Sequence, residues 1–238
     1  MATLKRIDGR KPEEIRPIVM QAGVLERATG SGFVKMGRTT ALAAVYGPKK
    51  LFSKHQQDAN KAVLECQYVM APFSTDERIR PGPNRRSTEI SKVMRQALEP
   101  AIYLEEFPRA IIDIHVVILQ AEAGTRTAAI NAASIALADA GIPMRDLVAS
   151  VSAGKIEGQY VLDLVGKEED ITECDLPVAY MPREKKLSLL QMDGDMPLKD
   201  VKNVIDLAIK GCEALYEKQK EALKERWVGS AKAVSLVG

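Results

Sequence analysis

Histidine, cysteine and aromatic side chains are scarce in this chain of 238 residues, and each scarcity removes a class of chemistry. The two histidines, His55 and His115, stand in no recognisable order with a serine or cysteine, so neither is assigned a catalytic role. His115 lies inside an apolar run and is expected to be a core imidazole. Cys66, Cys174 and Cys212 are odd in number, widely spaced and free of any C-x-x-C pair, which excludes a disulfide framework and a zinc knuckle and fits a reducing compartment. There is no P-loop, G-x-G-x-x-G, H-E-x-x-H or G-x-S-x-G, which removes the common nucleotide-binding, zincin and serine-hydrolase readings. No stretch approaches the roughly eighteen apolar residues of a membrane span. Residues 1–10 lead into no apolar segment, so a soluble, cytoplasmic protein with no membrane partner is expected.

What the chain does hold is the material of a folded core. Apolar residues make up 46% and charged residues 28%, a globular balance. The net charge of +2 and pI near 8.3 are too mild for nucleic-acid binding by overall charge, so any RNA surface must be a local concentration of Lys and Arg. No internal repeat, low-complexity tract or Pro/Ser linker divides the chain, and one domain over residues 1–238 is expected.

Hydrophobic spacing predicts an α+β fold of mixed and antiparallel sheets covered by helices. Short β-rich runs punctuated by glycine occupy residues 17–48. Leu64, Cys66, Tyr68 and Met70 then alternate with their neighbours, the pattern of a strand with one buried face. A Pro/Gly/Arg-rich loop over residues 72–86 precedes a helix capped by Ser87, with Ile90, Val93, Met94, Ala97 and Leu98 on one face and Pro100 at its end. The β-branched run at residues 110–119 reads as a central strand buried on both faces. It delivers the chain to an Ala-rich helix from about Thr127 to Ala140, with Gly141 as C-cap. Strands are expected at residues 147–156, 160–165, 177–181 and 187–192, then a long amphipathic helix from about Pro197 to Arg226.

Three constellations could carry chemistry. Gly124, Thr125 and Arg126 sit at a strand-to-helix corner, where unpaired amides, a hydroxyl and a fixed cation suit a phosphate-like anion; an ordinary helix cap beside a surface arginine uses the same residues. The stretch from Arg78 to Arg95 holds Arg78, Arg80, Arg85, Arg86, Lys92 and Arg95 against the single acid Glu89. Such a patch suits an RNA backbone, although a solvated loop has the same composition, and with Phe73 the only ring nearby, base stacking is less expected than backbone tracking. The acidic segment at residues 168–175, with Glu169, Asp170 and Asp175, could hold Mg²⁺ or supply a general acid, or be a charged turn between strands.

Several segments together are more specific than any alone: Arg6-Ile7-Asp8-Gly9-Arg10, Gly30-Ser31-Gly32, residues 70–78, Arg85-Arg86, residues 120–126, residues 136–147 and Asp175-Leu176-Pro177-Val178-Ala179. In these the chain resembles, over nearly its whole length, the RNase PH-like phosphorolytic 3′-to-5′ exoribonucleases, and among them the catalytic ring subunits of archaeal exosomes. The resemblance implies the RNase PH type of α+β fold. It also implies a reversible reaction in which inorganic phosphate attacks the 3′-terminal phosphodiester of single-stranded RNA and releases a nucleoside diphosphate, with Mg²⁺ or Mn²⁺ assisting.

By the same resemblance phosphate sits at Gly124, Thr125 and Arg126, Arg85 and Arg86 contact the RNA 3′ end, and Asp175 with either Asp170 or Glu169 supplies the catalytic acids and the metal ligands. Arg78 and Arg95 extend the RNA-binding expectation. Two departures stand out. The family has Asp where this chain has Glu122, and it places its two acids six residues apart, a spacing met by Glu169 and Asp175 but not by Asp170 and Asp175. The implied assembly is a hetero-hexameric ring, a trimer of dimers with a paralogous inactive subunit, capped by RNA-binding proteins. The alternatives are a homohexameric RNase PH trimming transfer-RNA 3′ ends by the same chemistry, and an inactive RNA-binding scaffold, against which the retained Gly124-Thr125-Arg126 and Asp175 argue.

Overall fold

The computed structural model describes residues 6–235, with side chains as far as Val228; the first five of residues 1–10 read above lie outside them. The chain opens with β1 (Ile18–Ala22), β2 (Gly30–Met36), β3 (Thr39–Lys50) and β4 (Val63–Met70), then crosses through α1 (Arg85–Leu98) to β5 (Ala110–Gln120). These strands form one sheet in the order β1-β2-β3-β5-β4, antiparallel except for the β4–β5 pair. A helical crossover is what a parallel pair requires. α2 (Thr125–Asp139) follows, then β6 (Ala149–Ile156), β7 (Gln159–Leu162), the short α3 (Lys167–Ile171), β8 (Cys174–Met181), β9 (Lys186–Leu190), β10 (Asp193–Gly194) and α4 (Leu198–Ser235). The second sheet runs β10-β8-β6-β7, with β9 also on β8.

α2 is the layer between the two sheets. It touches β2, β3 and β5 on one side and β6 and β8 on the other, and every residue from Thr127 to Leu137 is buried. A helix enclosed on all sides needs no amphipathic stripe, and its alanines let both sheets approach closely. The approach is so close at β2 that a Cβ on Gly32 would stand 2.3 Å from the Ala132 carbonyl oxygen. α4 covers the other face of the second sheet and reaches β1. One continuous apolar core therefore runs through both sheets. One group of its buried polar side chains forms a network: Asn131 exchanges hydrogen bonds with Ser150 at 2.7 and 2.9 Å, and Gln219 of α4 donates to Asn131 Oδ1 at 3.1 Å and to the Val148 carbonyl at 2.9 Å. These bonds fix α2, β6 and α4 in one register.

Several expected details are corrected. β5 is not buried on both faces: Ile112, Ile114, Val116 and Ile118 are buried, but the residues between them are partly or fully exposed, because helices cover only one face of this sheet. His115 is accordingly exposed, bonding Gln67 at 2.8 Å and meeting Tyr46 edge to face, and is no core imidazole. Ser87 is not the N-cap of α1. Asn84 is, with Ser87 as its reciprocal partner three residues on in a capping box. The acidic segment that could have been a plain turn contains α3, and α4 runs nine residues beyond Arg226.

Candidate active site

β5 feeds a tight turn at residues 121–124, and α2 begins at Thr125. Gly124, its N-cap, is left-handed (φ 64°, ψ 32°), and a Cβ there would stand 3.1 Å from Arg16 Nη2, so conformation and space both call for glycine. Thr39 pins the turn: its hydroxyl donates to the Ala123 carbonyl at 2.7 Å and accepts from the Glu122 and Ala123 amides at 3.2 Å. No side chain caps the helix. Its first residues instead line a cavity of about 360 Å³. Thr125 Oγ1 and Arg126 Nε are buried and make no hydrogen bond of normal geometry among the described residues, although Thr125 lies near enough to the buried Tyr68 phenol to act on it; donors at this depth are normally satisfied. The rest of the Arg126 guanidinium is held by Gln191 Oε1 at 2.7 Å and, at 3.5 Å, by Glu89 Oε1.

The opposite wall is acidic. Glu169 of α3 accepts a long 3.4 Å bond from the Gly124 amide, and Asp175 of β8 accepts from the Ser152 hydroxyl in a short contact. Asp193 of β10 stands opposite Asp175 in strand register and lines the same cavity, as does Arg86 from the first turn of α1. Burial pushes both the Glu169 and the Asp175 carboxyls above the usual carboxylate range. Asp175 raises Glu169 further, and Asp193 does the same to Asp175, while Arg86 and Arg126 work in the opposite sense. Among the described residues no three His, Cys, Asp or Glu side chains converge into a ready-made metal cage. One or two carboxylates beside an anion pocket are nonetheless a donor set that fits Mg²⁺ or Mn²⁺, since phosphate and water oxygens complete such a shell.

The structure brings Gly124, Thr125, Arg126, Glu169, Asp175 and Arg86 together. Asp170 is elsewhere: both it and Glu169 are exposed residues, but only Glu169 reaches the cavity wall and the Gly124 amide. Successive helical residues point about 100° apart, so α3 cannot aim both Glu169 and Asp170 inward, and the two acids of these three that line the cavity, Glu169 and Asp175, are six residues apart. Arg78 and Arg85 are exposed and outside the wall. Arg95 lies about half a turn round α1 from Arg86, on the side whose charge acts on Cys66 of β4. Sequence reasoning missed Ser152, Gln191 and Asp193. Ser152 was the findable one, as one of two buried serines in a strand rich in small residues, whereas β10 is two residues long and gives no periodic signal.

An unsatisfied set of donors at a helix N-terminus, faced by carboxyls that resist ionisation, suits an enzyme that handles phosphoryl groups by charge and position. The chain belongs to the 3′ exoribonuclease family, the RNase PH-like proteins: residues 14–143 match its domain 1 and residues 146–211 its domain 2. It is 56% identical to the exosome complex component Rrp41 of Methanopyrus kandleri, over 94% of each chain. It is 50% identical to the Rrp41 of Archaeoglobus fulgidus, over 94% of this chain and 88% of that one. Among solved structures, rice (Oryza sativa) Rrp46 superposes with a TM-score of 0.84 at 25% identity, covering 92% of this chain and 100% of the rice chain. The Archaeoglobus fulgidus exosome with RNA bound to its active site matches in fold with a TM-score of 0.79 at 22% identity, over 90% of this chain and 92% of that one. Among the described residues no helix is long and apolar enough to cross a membrane.

Proposed function

We propose that this chain is the catalytic subunit of an exosome ring and shortens single-stranded RNA from its 3′ end by phosphorolysis. The observation that carries the reading is the pair of buried, unpartnered donors Thr125 Oγ1 and Arg126 Nε opposite Glu169 and Asp175. They form an anion site facing a proton donor. Membership of a multi-subunit exosome is supported by the component name that its relatives carry; the ring with a paralogous inactive partner and RNA-binding caps is what the family resemblance implies.

Inorganic phosphate binds at Gly124, Thr125 and Arg126, and one of its oxygens attacks the 3′-terminal phosphorus. The bond from that phosphorus to the preceding 3′-oxygen breaks, and the leaving oxygen takes a proton. The products are a nucleoside diphosphate and an RNA one nucleotide shorter with a free 3′-hydroxyl. Glu169 is the proton donor, because burial and the neighbouring Asp175 charge keep its carboxyl protonated more readily than a free one. Arg126 and Arg86 offset the phosphate charge, and the exposed Arg78 and Arg85 guide the RNA backbone towards the cavity. A divalent cation held by Asp175 supplies Lewis-acid neutralisation of phosphoryl charge when bound.

The experiment is a comparison of single substitutions in the assembled ring, with products from a labelled RNA resolved as mono- or diphosphates. Glu169→Gln and Asp175→Asn each lower kcat by about a hundredfold to ten-thousandfold. Asp170→Ala leaves it near the unsubstituted value. A loss confined to Asp170→Ala would refute the assignment, and monophosphate products would refute phosphorolysis.

A further inference from the structure

Two parts of the site come from segments distant in sequence, and a buried ion pair joins them. Arg16 and Asp163 are 4% and 1% exposed. Arg16 Nε and Nη2 form a two-pronged pair with the Asp163 carboxylate at 2.8 and 2.7 Å, and the Arg16 amide adds a third bond at 2.9 Å. The remaining prong, Arg16 Nη1, donates to the Ala123 carbonyl at 3.3 Å, one residue before the glycine that opens the anion site. Asp163 donates its own amide to the Ser152 carbonyl at 2.7 Å, and Ser152 is the residue whose hydroxyl holds Asp175. The same aspartate accepts Arg6 at its carbonyl, 2.8 Å, and Arg6 also grips Glu168, the neighbour of Glu169, at 2.6 Å.

The geometry assigns Arg16, with Asp163, as a positioning pair that sets the anion-binding turn against the acidic wall; the assignment rests on the phosphorolytic reading above. Neither side chain lines the cavity. Arg16 acts through Ala123 and Gly124, and its charge also favours the ionised form of Glu169; Asp163 acts through Ser152 and the segment that leads to α3. A buried ion pair contributes little net stability, since desolvation offsets most of the attraction, whereas its fixed fork geometry specifies one arrangement of the chains it joins. Asp163 keeps a left-handed backbone, φ 57°, a conformation that Asp and Asn tolerate better than most residues.

The test is steady-state kinetics of the full chain assembled in its ring, for the unsubstituted protein, Arg16→Lys and the double variant Arg16→Met with Asp163→Asn. The double variant removes both charges together, and Arg10, which also reaches Asp163 Oδ2 at 3.4 Å, keeps its pair with Asp8 at 2.5 Å, so no lone buried ion is left and the variant folds even where a single loss does not. A misplaced site loses rate on the order of a hundredfold. The expected result for the double variant is that loss in kcat with a raised KM for phosphate, while the Kd for RNA measured without phosphate and the melting temperature stay near their original values. Arg16→Lys, which keeps the charge but not the fork, recovers part of the rate. A well-folded double variant with unchanged kcat and phosphate KM, or a loss that only follows the folded fraction, overturns the assignment. An unsubstituted ring that releases no nucleoside diphosphate overturns the phosphorolytic reading instead, and calorimetric affinity for inorganic phosphate then still decides on Arg16: unchanged in the double variant, it overturns the pair's role.

Discussion

Asp175 is harder to ionise in the folded chain than in the unfolded one, with burial as the first cause, and this places a cost on the fold. Between the unfolded value, about 3.9 for Asp, and the raised folded one, the folded chain binds more protons than the unfolded chain, so stability falls as pH rises through that window and does not return above it. Asp175→Asn is therefore expected to raise the melting temperature at pH 7, by about 2–4 °C for each kcal/mol relieved in a chain of this size, while removing activity. A thermal melt at pH 7 and again at pH 4 checks it: the gap between variant and original narrows at the lower pH, and a variant that melts lower at pH 7 contradicts the account. Because an ordinary helix cap and a surface arginine use the same residues, at this scale Gly124, Thr125 and Arg126 were legible in sequence only as a candidate, which the family resemblance singled out. The choice between Glu169 and Asp170 was not legible. It depends on how the short α3 is rotated, and five residues carry no periodicity that could fix a rotation.

α1 decides where Arg86 points, and its first turn is fixed by the Asn84–Ser87 capping box, with Ser87 Oγ accepting from the Asn84 amide at 2.8 Å and Asn84 Oδ1 accepting from the Ser87 amide at 2.8 Å. Asn84→Ala is expected to cost about 0.5–2 kcal/mol in urea unfolding, and to weaken RNA binding by releasing the turn that carries Arg86. Unchanged stability would mean that another group caps the helix. The helix itself was readable from its apolar spacing, but the cap was placed three residues late, because Asn84 and Ser87 are both good caps and sequence does not say which one is the partner. β5 shows the complementary limit. A run of β-branched residues reads the same whether one face or two are covered, and what covers a face is a property of the other elements.

For the molecule as a whole, the α+β class and most of its strands and helices followed from hydrophobic period. The stacking of two sheets on α2 was not foreseen, since alanines on every side of a helix predict burial but not what lies against each face. Nor did the spacing show that residues 6–16 reach across to residues 162–168, a pairing of segments distant in sequence that local patterns do not record. That architecture places the Thr125 and Arg126 donors and an acidic wall within one cavity, and the central claim is that phosphate enters there as the attacking group. The most direct measurement supplies ³²P-labelled inorganic phosphate with unlabelled single-stranded RNA to the assembled ring and locates the label. The account predicts nucleoside diphosphates carrying ³²P in the β-phosphate. Nucleoside monophosphates without label would contradict it, because water and not phosphate would then have attacked the RNA.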